Sequence, residues 1–153
     1  MTYVRELRAL TGPRPLILAG ASVLVLNDDG EVLLQRRTDN GNWGTPGGLL
    51  ELGESLEDAA RRELHEETTL TARALDLLYV ASGPWTRVHL PNGDAFEQVT
   101  AVYVTRQWTG EPTPDGQEGA ALRWFPPGAH PDRVGPVDRE SLARLRELLS
   151  GAD

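Results

Sequence analysis

The chain of 153 residues contains no cysteine and no lysine; all 15 of its basic side chains are arginine. Without cysteine there are no disulfides, no thiolate zinc sites and no cysteine nucleophile, and redox usage gives no information about compartment. Without lysine, Schiff-base and pyridoxal-phosphate chemistry and the lysine of a phosphate-loop ATPase are excluded together. Long hydrophobic runs are also missing. No stretch approaches the ~18 apolar residues of a membrane span, and the N-terminus, MTYVRELRAL, lacks the basic start and apolar run of a signal peptide, so a cytoplasmic location is expected. Basic runs never exceed two residues and the net charge is -8, which disfavours duplex nucleic acid as a partner.

What is present fits one domain over residues 1–153, with 39% apolar and 25% charged residues around a single core. The catalytic repertoire left is mostly carboxylate, and the carboxylates are unevenly spread. Residues 48–67 hold seven of the 23 acids against Arg61 and Arg62, so this stretch carries -5 of the -8.

Val4, Leu7 and Leu10 suggest a short amphipathic helix over 2–11, broken by Gly12-Pro13-Arg14-Pro15. Residues 16–26 read as a strand, Asp28-Asp29-Gly30 as a turn, and EVLLQRR as the returning partner, together a hairpin. After the polar loop TDNGNWGTPGG and the segment LLELGE, a helix is expected from about Leu56 to Thr68, with Ser55 and Asp58 forming a capping box. Runs 71–81 and 96–106 read as strands joined through Pro91-Asn92-Gly93-Asp94, ALRWF at 121–125 as a further strand, and 138–149 as a helix whose face is Leu142, Leu145, Leu148 and Leu149. This mixture of strands and helices, without regular alternation, predicts an α+β or layered α/β/α domain on a mixed sheet.

The helix at 56–68 breaks a rule. Taking Leu56 as zero at ~100° per residue, Ala59, Ala60 and Leu64 define an apolar stripe centred near Leu56, and Glu63 and Glu67, at roughly 340° and 20°, fall in its middle. Glu66 lies at its edge. A Glu-rich helix is ordinarily a solvated face. Here two stripe carboxylates ~5 Å apart would repel by roughly 3 kcal/mol at an effective dielectric of about 20. They also sit toward the helix C-terminus, where the dipole disfavours negative charge. A divalent cation offsets both costs, and clustered carboxylates without cysteine or paired histidines select a hard metal such as Mg²⁺ or Mn²⁺.

The segment 48–70, GLLELGESLEDAARRELHEETTL, resembles the signature of the Nudix hydrolases: Gly48, Glu54, Arg62, Glu63, Leu64, Glu66, Glu67 and Leu70 match at the required spacing, and Thr69 stands where the pattern has glycine. The flanking WGTPGG and RWF extend the resemblance over residues 16–126. It implies a Nudix-type α/β/α sandwich with a mixed sheet, and hydrolysis of a pyrophosphate bond in a nucleoside diphosphate linked to another moiety. It further implies Glu63, Glu66 and Glu67 as metal ligands, the Gly47 carbonyl as another, and a Glu54–Arg62 pair that orients the cluster. Thr69 touches no ligand, so an intact metal site with a differently shaped helix exit is expected.

Family members often recruit a later carboxylate as ligand or base. Glu97 and Glu118 are the candidates, and Glu118, in a Gly-rich, mobile-looking loop before a strand, is favoured. Arg36 is the candidate for the diphosphate, and Trp43 and Trp85 are candidates for stacking on a base or ribose, with core packing the competing role for both. The histidines are scattered and form no metal pair. The expected partner is therefore a small nucleotide-type diphosphate, with the terminal helices as candidate surfaces for a homodimer. Two other classes compete: an idle domain of the same family that binds a nucleotide or ADP-ribose as a sensor, and an acidic interaction domain, which leaves Glu63 and Glu67 unexplained. Loops 38–46 and 83–95, outside the signature, would set substrate identity.

Overall fold

The computed structural model describes residues 2–151. Helix α1 (Thr2–Thr11) is followed by β1 (Leu16–Val25), β2 (Val32–Arg37), β3 (Trp43–Gly44), β4 (Gly47–Leu49) and helix α2 (Leu56–Thr68). Then come β5 (Thr71–Ala72), β6 (Asp76–Ala81), a 3-10 turn at Pro84–Thr86, β7 (Val88–His89), β8 (Ala95–Thr105), β9 (Trp108–Thr109), β10 (Gly119–Phe125) and helix α3 (Pro136–Ser150). The architecture is an α+β sandwich on a mixed sheet, as expected.

The central sheet runs β4-β1-β8-β6, with β7 pairing the start of β8. Its spine is the parallel pair β1 and β8, in register from Leu16 opposite Phe96 to Val25 opposite Thr105. The other pairings in this sheet are antiparallel. Strands β10, β2 and β3 form a second, antiparallel sheet, and β5 pairs β9.

The side-chain period of two sends alternate residues of β1 to opposite faces. Ala21, Val23 and Val25 pack with Leu33, Ala60 and Leu64 beneath α2, while Leu24 and Leu26 pack with Val32, Leu34, Leu142 and Leu145 beneath α3. Both faces of β1 are therefore core, which accounts for its near-continuous apolar run.

Several pairings differ from those read in the sequence. Strands β1 and β2 are not a hairpin within one sheet. Among the described residues only Leu26 bridges Val32, and the turn, tied by the Asn27 side chain accepting from Asp29 and Glu31 N–H, carries the chain from one sheet to the other. The run 71–81 divides into β5 and β6, and the Pro91–Asp94 turn closes the hairpin of β7 with β8. Helix α3 begins earlier, with Pro136 in its first turn, where no N–H is required of it. Leu148 is exposed, leaving Leu142 and Leu145 to bury the face with Leu149 packed beside them.

Candidate functional site

Helix α2 starts at Ser55, whose hydroxyl accepts from the Asp58 N–H at 3.1 Å. Once its Ala60 and Leu64 are docked on the core, the 3.6-residue period forces Glu63 and Glu67 inward, one turn apart. Their exposures are 5% and 3%, so the carboxylates on the apolar stripe are indeed buried. Leu56, taken as the stripe's centre, is at 36%, because it lies in the first turn beyond the sheet's cover.

Strand β4 receives both carboxyls. The Gly47 N–H donates to Glu67 Oε2 at 2.8 Å. At position 48 a Cβ would lie 2.4 Å from the Glu63 carboxyl carbon, so any other residue there would displace the Glu63 carboxyl from its present place. Arg62 straps the cluster from outside: its guanidinium grips Glu54 through two bonds of 2.6 and 2.9 Å and reaches Glu63 Oε1 at 2.9 Å and Glu66 Oε2 at 3.3 Å. The expected Glu54–Arg62 pair is thus formed, with the forked geometry particular to arginine. Its hydrogen bonds hold Glu54 below the usual carboxylate range and push the Arg62 guanidinium further up.

The third carboxylate comes from the opposite sheet. Oxygens of Glu63, Glu67 and Glu118 lie within 4.8 Å of one another. The Glu118 loop is anchored, contrary to its glycine-rich appearance. Asp115 Oδ1 accepts from the N–H groups of Gln117, Glu118 and Gly119 at 3.0, 3.0 and 2.9 Å, and the Thr38 N–H donates to the Glu118 carbonyl at 3.0 Å. Burial raises the Glu67 carboxyl to about 9, with the neighbouring Glu63 charge adding to it, and burial also raises Glu63. Three converging oxygen donors, two of them desolvated and mutually repelling, fit a hard divalent cation.

Glu66, grouped with these in the sequence reading, is 57% exposed and turned toward Arg62, outside the three-oxygen cluster. Glu97 lies apart, paired with Arg87 at 2.9 Å. Arg36, expected at the diphosphate, is exposed at the end of β2 on the face of Val32 and Leu34, away from the carboxylates, because side chains alternate along the strand; Arg37, on the side of Gln35 and Glu67, is held by Asp39 through two bonds of 3.0 and 2.7 Å. Trp43 is packed edge-on against Phe125 at 5.2 Å, with the Arg123 guanidinium 5.7 Å from its ring centre, so its surface is already used in packing rather than free for stacking. Trp85 is 45% exposed on the 3-10 turn and does not line the cavity beside the carboxylates.

That cavity, about 420 Å³, opens between α1 and α2. Tyr3 and Glu6 of α1 face Arg62, Glu63 and Glu66 of α2 across it, with Glu51, Leu52 and Glu118 completing the wall. The Tyr3 N–H donates to Glu51 Oε2 at 3.2 Å and ties α1 to this rim. Tyr3 and Glu6 are not singled out by the sequence, because α1 reaches the site only through the tertiary fold, and Glu51 counts there only as one of the clustered acids of residues 48–67. Gln35, within hydrogen-bonding reach of Glu67, was also missed, although a buried amide in the row VLLQRR is a visible irregularity.

Thr69 adopts φ 66 and ψ 1, and its N–H donates to the His65 carbonyl at 2.9 Å. The helix exit therefore keeps the left-handed shape that glycine would give, and the expected change of shape does not occur. The Thr69 hydroxyl, donating to the Glu111 carbonyl at 2.8 Å, offsets part of the strain.

A family model described as the NUDIX domain matches residues 17–145. A MutT-like protein of Streptomyces ambofaciens is 28% identical over 152 residues, covering 99% of this chain and 89% of that protein. An 8-oxo-dGTP diphosphatase of Escherichia coli (strain K12) is 26% identical over 130 residues, covering 82% of this chain and 93% of its own. Among solved structures, a MutT NUDIX hydrolase from Burkholderia pseudomallei superposes with a TM-score of 0.72 at 28% identity, covering 84% of this chain and 97% of the other.

Proposed function

Because the chain belongs to the NUDIX domain family and is a Nudix hydrolase, we propose that it uses a divalent cation, Mg²⁺ or Mn²⁺, to hydrolyse the pyrophosphate bond of a nucleoside diphosphate linked to another moiety. The observation that carries the metal dependence is the convergence of Glu63, Glu67 and Glu118 within 4.8 Å, two of them buried. A cation held there would neutralise the diphosphate oxygens and lower the pKa of a bound water.

The chain's own groups do the rest. Glu63, Glu67 and Glu118 would hold the cation, with Glu66 and the Gly47 carbonyl as further oxygen donors. Glu118 accepts the proton of the attacking water. The water oxygen bonds to phosphorus, the anhydride P–O bond breaks, and no covalent intermediate with the protein forms. Arg62 fixes the Glu54, Glu63 and Glu66 carboxylates.

No helix among the described residues is long and apolar enough to cross a membrane. The working assignment is one domain over 1–153, acting in the cytoplasm on a small nucleotide. The test is Mg²⁺-dependent phosphate release, coupled to a phosphatase, across nucleoside triphosphates including 8-oxo-dGTP, dinucleoside polyphosphates, ADP-ribose and nucleotide sugars. Turnover of at least one, abolished by chelator, is expected. Nucleotide binding with no turnover of any would replace the hydrolase with a sensor.

A further inference from the structure

Gln35 stands in β2 on the face that carries Leu33 into the core beneath α2, and it is 5% exposed. A buried amide in such a row is costly unless its polar atoms are partnered. One end of the carboxamide is partnered, since it lies within hydrogen-bonding reach of Glu67. Because Oε1 lies against Gly119, the NH₂ group is the end that reaches the Glu67 carboxyl, which accepts from it. This leaves Oε1 facing the other way, where it is buried without a hydrogen-bond partner among the described residues. There it abuts Gly119: a Cβ at that position would lie 2.6 Å from Oε1, and the Gly119 N–H is already given to Asp115.

The two ends of one side chain thus touch the carriers of two cluster carboxylates, Glu67 on α2 and Gly119, the residue next to Glu118, on the paired strand β10. An apolar side chain of similar volume would fill the same space without stranding an acceptor, so packing alone does not account for glutamine here.

Resting on the metal-dependent reading above, we propose that Gln35 is a positioning residue, the spacer that sets Glu67 relative to Glu118 and thereby the cluster's affinity for a divalent cation. Partners that orient metal ligands from behind typically change affinity 10- to 100-fold when removed.

The test is Mn²⁺ binding, followed by the EPR signal of the free ion, in the full chain and in Gln35→Leu, with thermal midpoints in chelator as the control for folding. Gln35→Leu is expected to melt no lower than the parent without metal, yet to bind Mn²⁺ roughly 10- to 100-fold more weakly. On a nucleotide that the parent hydrolyses, half-activation by Mn²⁺ should rise by a similar factor while kcat at saturating metal stays within about threefold. Gly119→Ala, which presses a methyl group on Oε1, is the second probe and should also weaken Mn²⁺ binding. It carries the test if Gln35→Leu does not fold. Parental Mn²⁺ affinity in folded Gln35→Leu, or in Gly119→Ala if that is the variant read, overturns the spacer role and leaves the hydrolase reading standing. If the parent itself binds no Mn²⁺, the metal-dependent reading falls and the spacer with it.

Discussion

Replacing Glu67 by glutamine should stabilise the metal-free protein, and do so only when the pH is high enough. The side chain is 3% exposed and shares a 4.8 Å cluster with Glu63 and Glu118, a distance at which two charges repel by about 3 kcal/mol at an effective dielectric of about 20. Its carboxyl is raised from the ordinary ~4.3 to about 9, so the folded protein keeps a proton that the unfolded chain releases. Stability from this group is therefore fully present below the ordinary range and falls as the pH rises, by up to ~1.4 kcal/mol per pH unit, until about pH 9. From ~4.3 to about pH 8 that amounts to at most ~5 kcal/mol, and the Coulomb estimate gives ~3 kcal/mol. Glutamine removes the titration and keeps an oxygen for the Gly47 N–H. In EDTA, Glu67→Gln should thus melt close to the parent at about pH 5 and, for a gain of ~3 kcal/mol, roughly 6–12 °C above it at about pH 8. Adding Mg²⁺ or Mn²⁺ should raise the parent's midpoint most at the higher pH, and this rise should largely vanish in the variant. Differential scanning calorimetry at the two pH values reads all of this. A variant destabilised equally at both would refute the claim that an unneutralised Glu67 is a burden on the fold.

Three further substitutions separate the roles of the site's members. Glu118→Gln should lower kcat by ~10²-fold or more if this carboxylate takes the water proton, with the thermal midpoint little changed, and near-normal turnover would remove it from the mechanism. Arg62→Lys keeps the charge but loses the fork that grips Glu54. It should weaken metal activation ~10-fold or more, measured as the Mg²⁺ concentration for half-maximal rate, and an unchanged value would show that charge alone suffices. Thr69→Gly relieves the left-handed β-branched residue but gives up the hydroxyl bond to Glu111, so stability should move by less than about 1 kcal/mol and activity by less than about tenfold. A larger change in urea melts or initial rates would mean the exit of α2 is coupled to the site.

Helix α2 was legible because several signals agree there: a serine cap, an apolar period of 3.6, and two glutamates placed where that period demands hydrophobic side chains. Strands were recognisable from composition, but their partners were not. Any strand with one apolar row can pair with any other of the same period, so β1 and β2 read as a local hairpin. The structure instead gives β1 a parallel partner, β8, some eighty residues away in the chain. A short turn predicts which strand comes next, not which strand lies alongside.

The same division explains the site. Glu63 and Glu67 stood out because they violate the burial pattern of their own helix, a conflict visible within thirteen residues. Glu118 could only be ranked against Glu97, since what selects it is the landing of β10 on β2, secured by Asp115 and Thr38. Glu97, the second candidate in sequence, is spent on Arg87. Gly119 was silent for the opposite reason: a lone glycine fits many roles, and its own is to leave room for Gln35; Gly48 was marked only by its place in the signature, and the room it leaves for Glu63 is defined only once α2 and β4 are assembled. Residues that hold the chemistry therefore announce themselves by breaking a local rule, whereas residues that shape its surroundings obey every local rule. Gln35 lies between the two kinds, polar enough to break the row it sits in, and its purpose becomes readable only when both of its neighbours are in place.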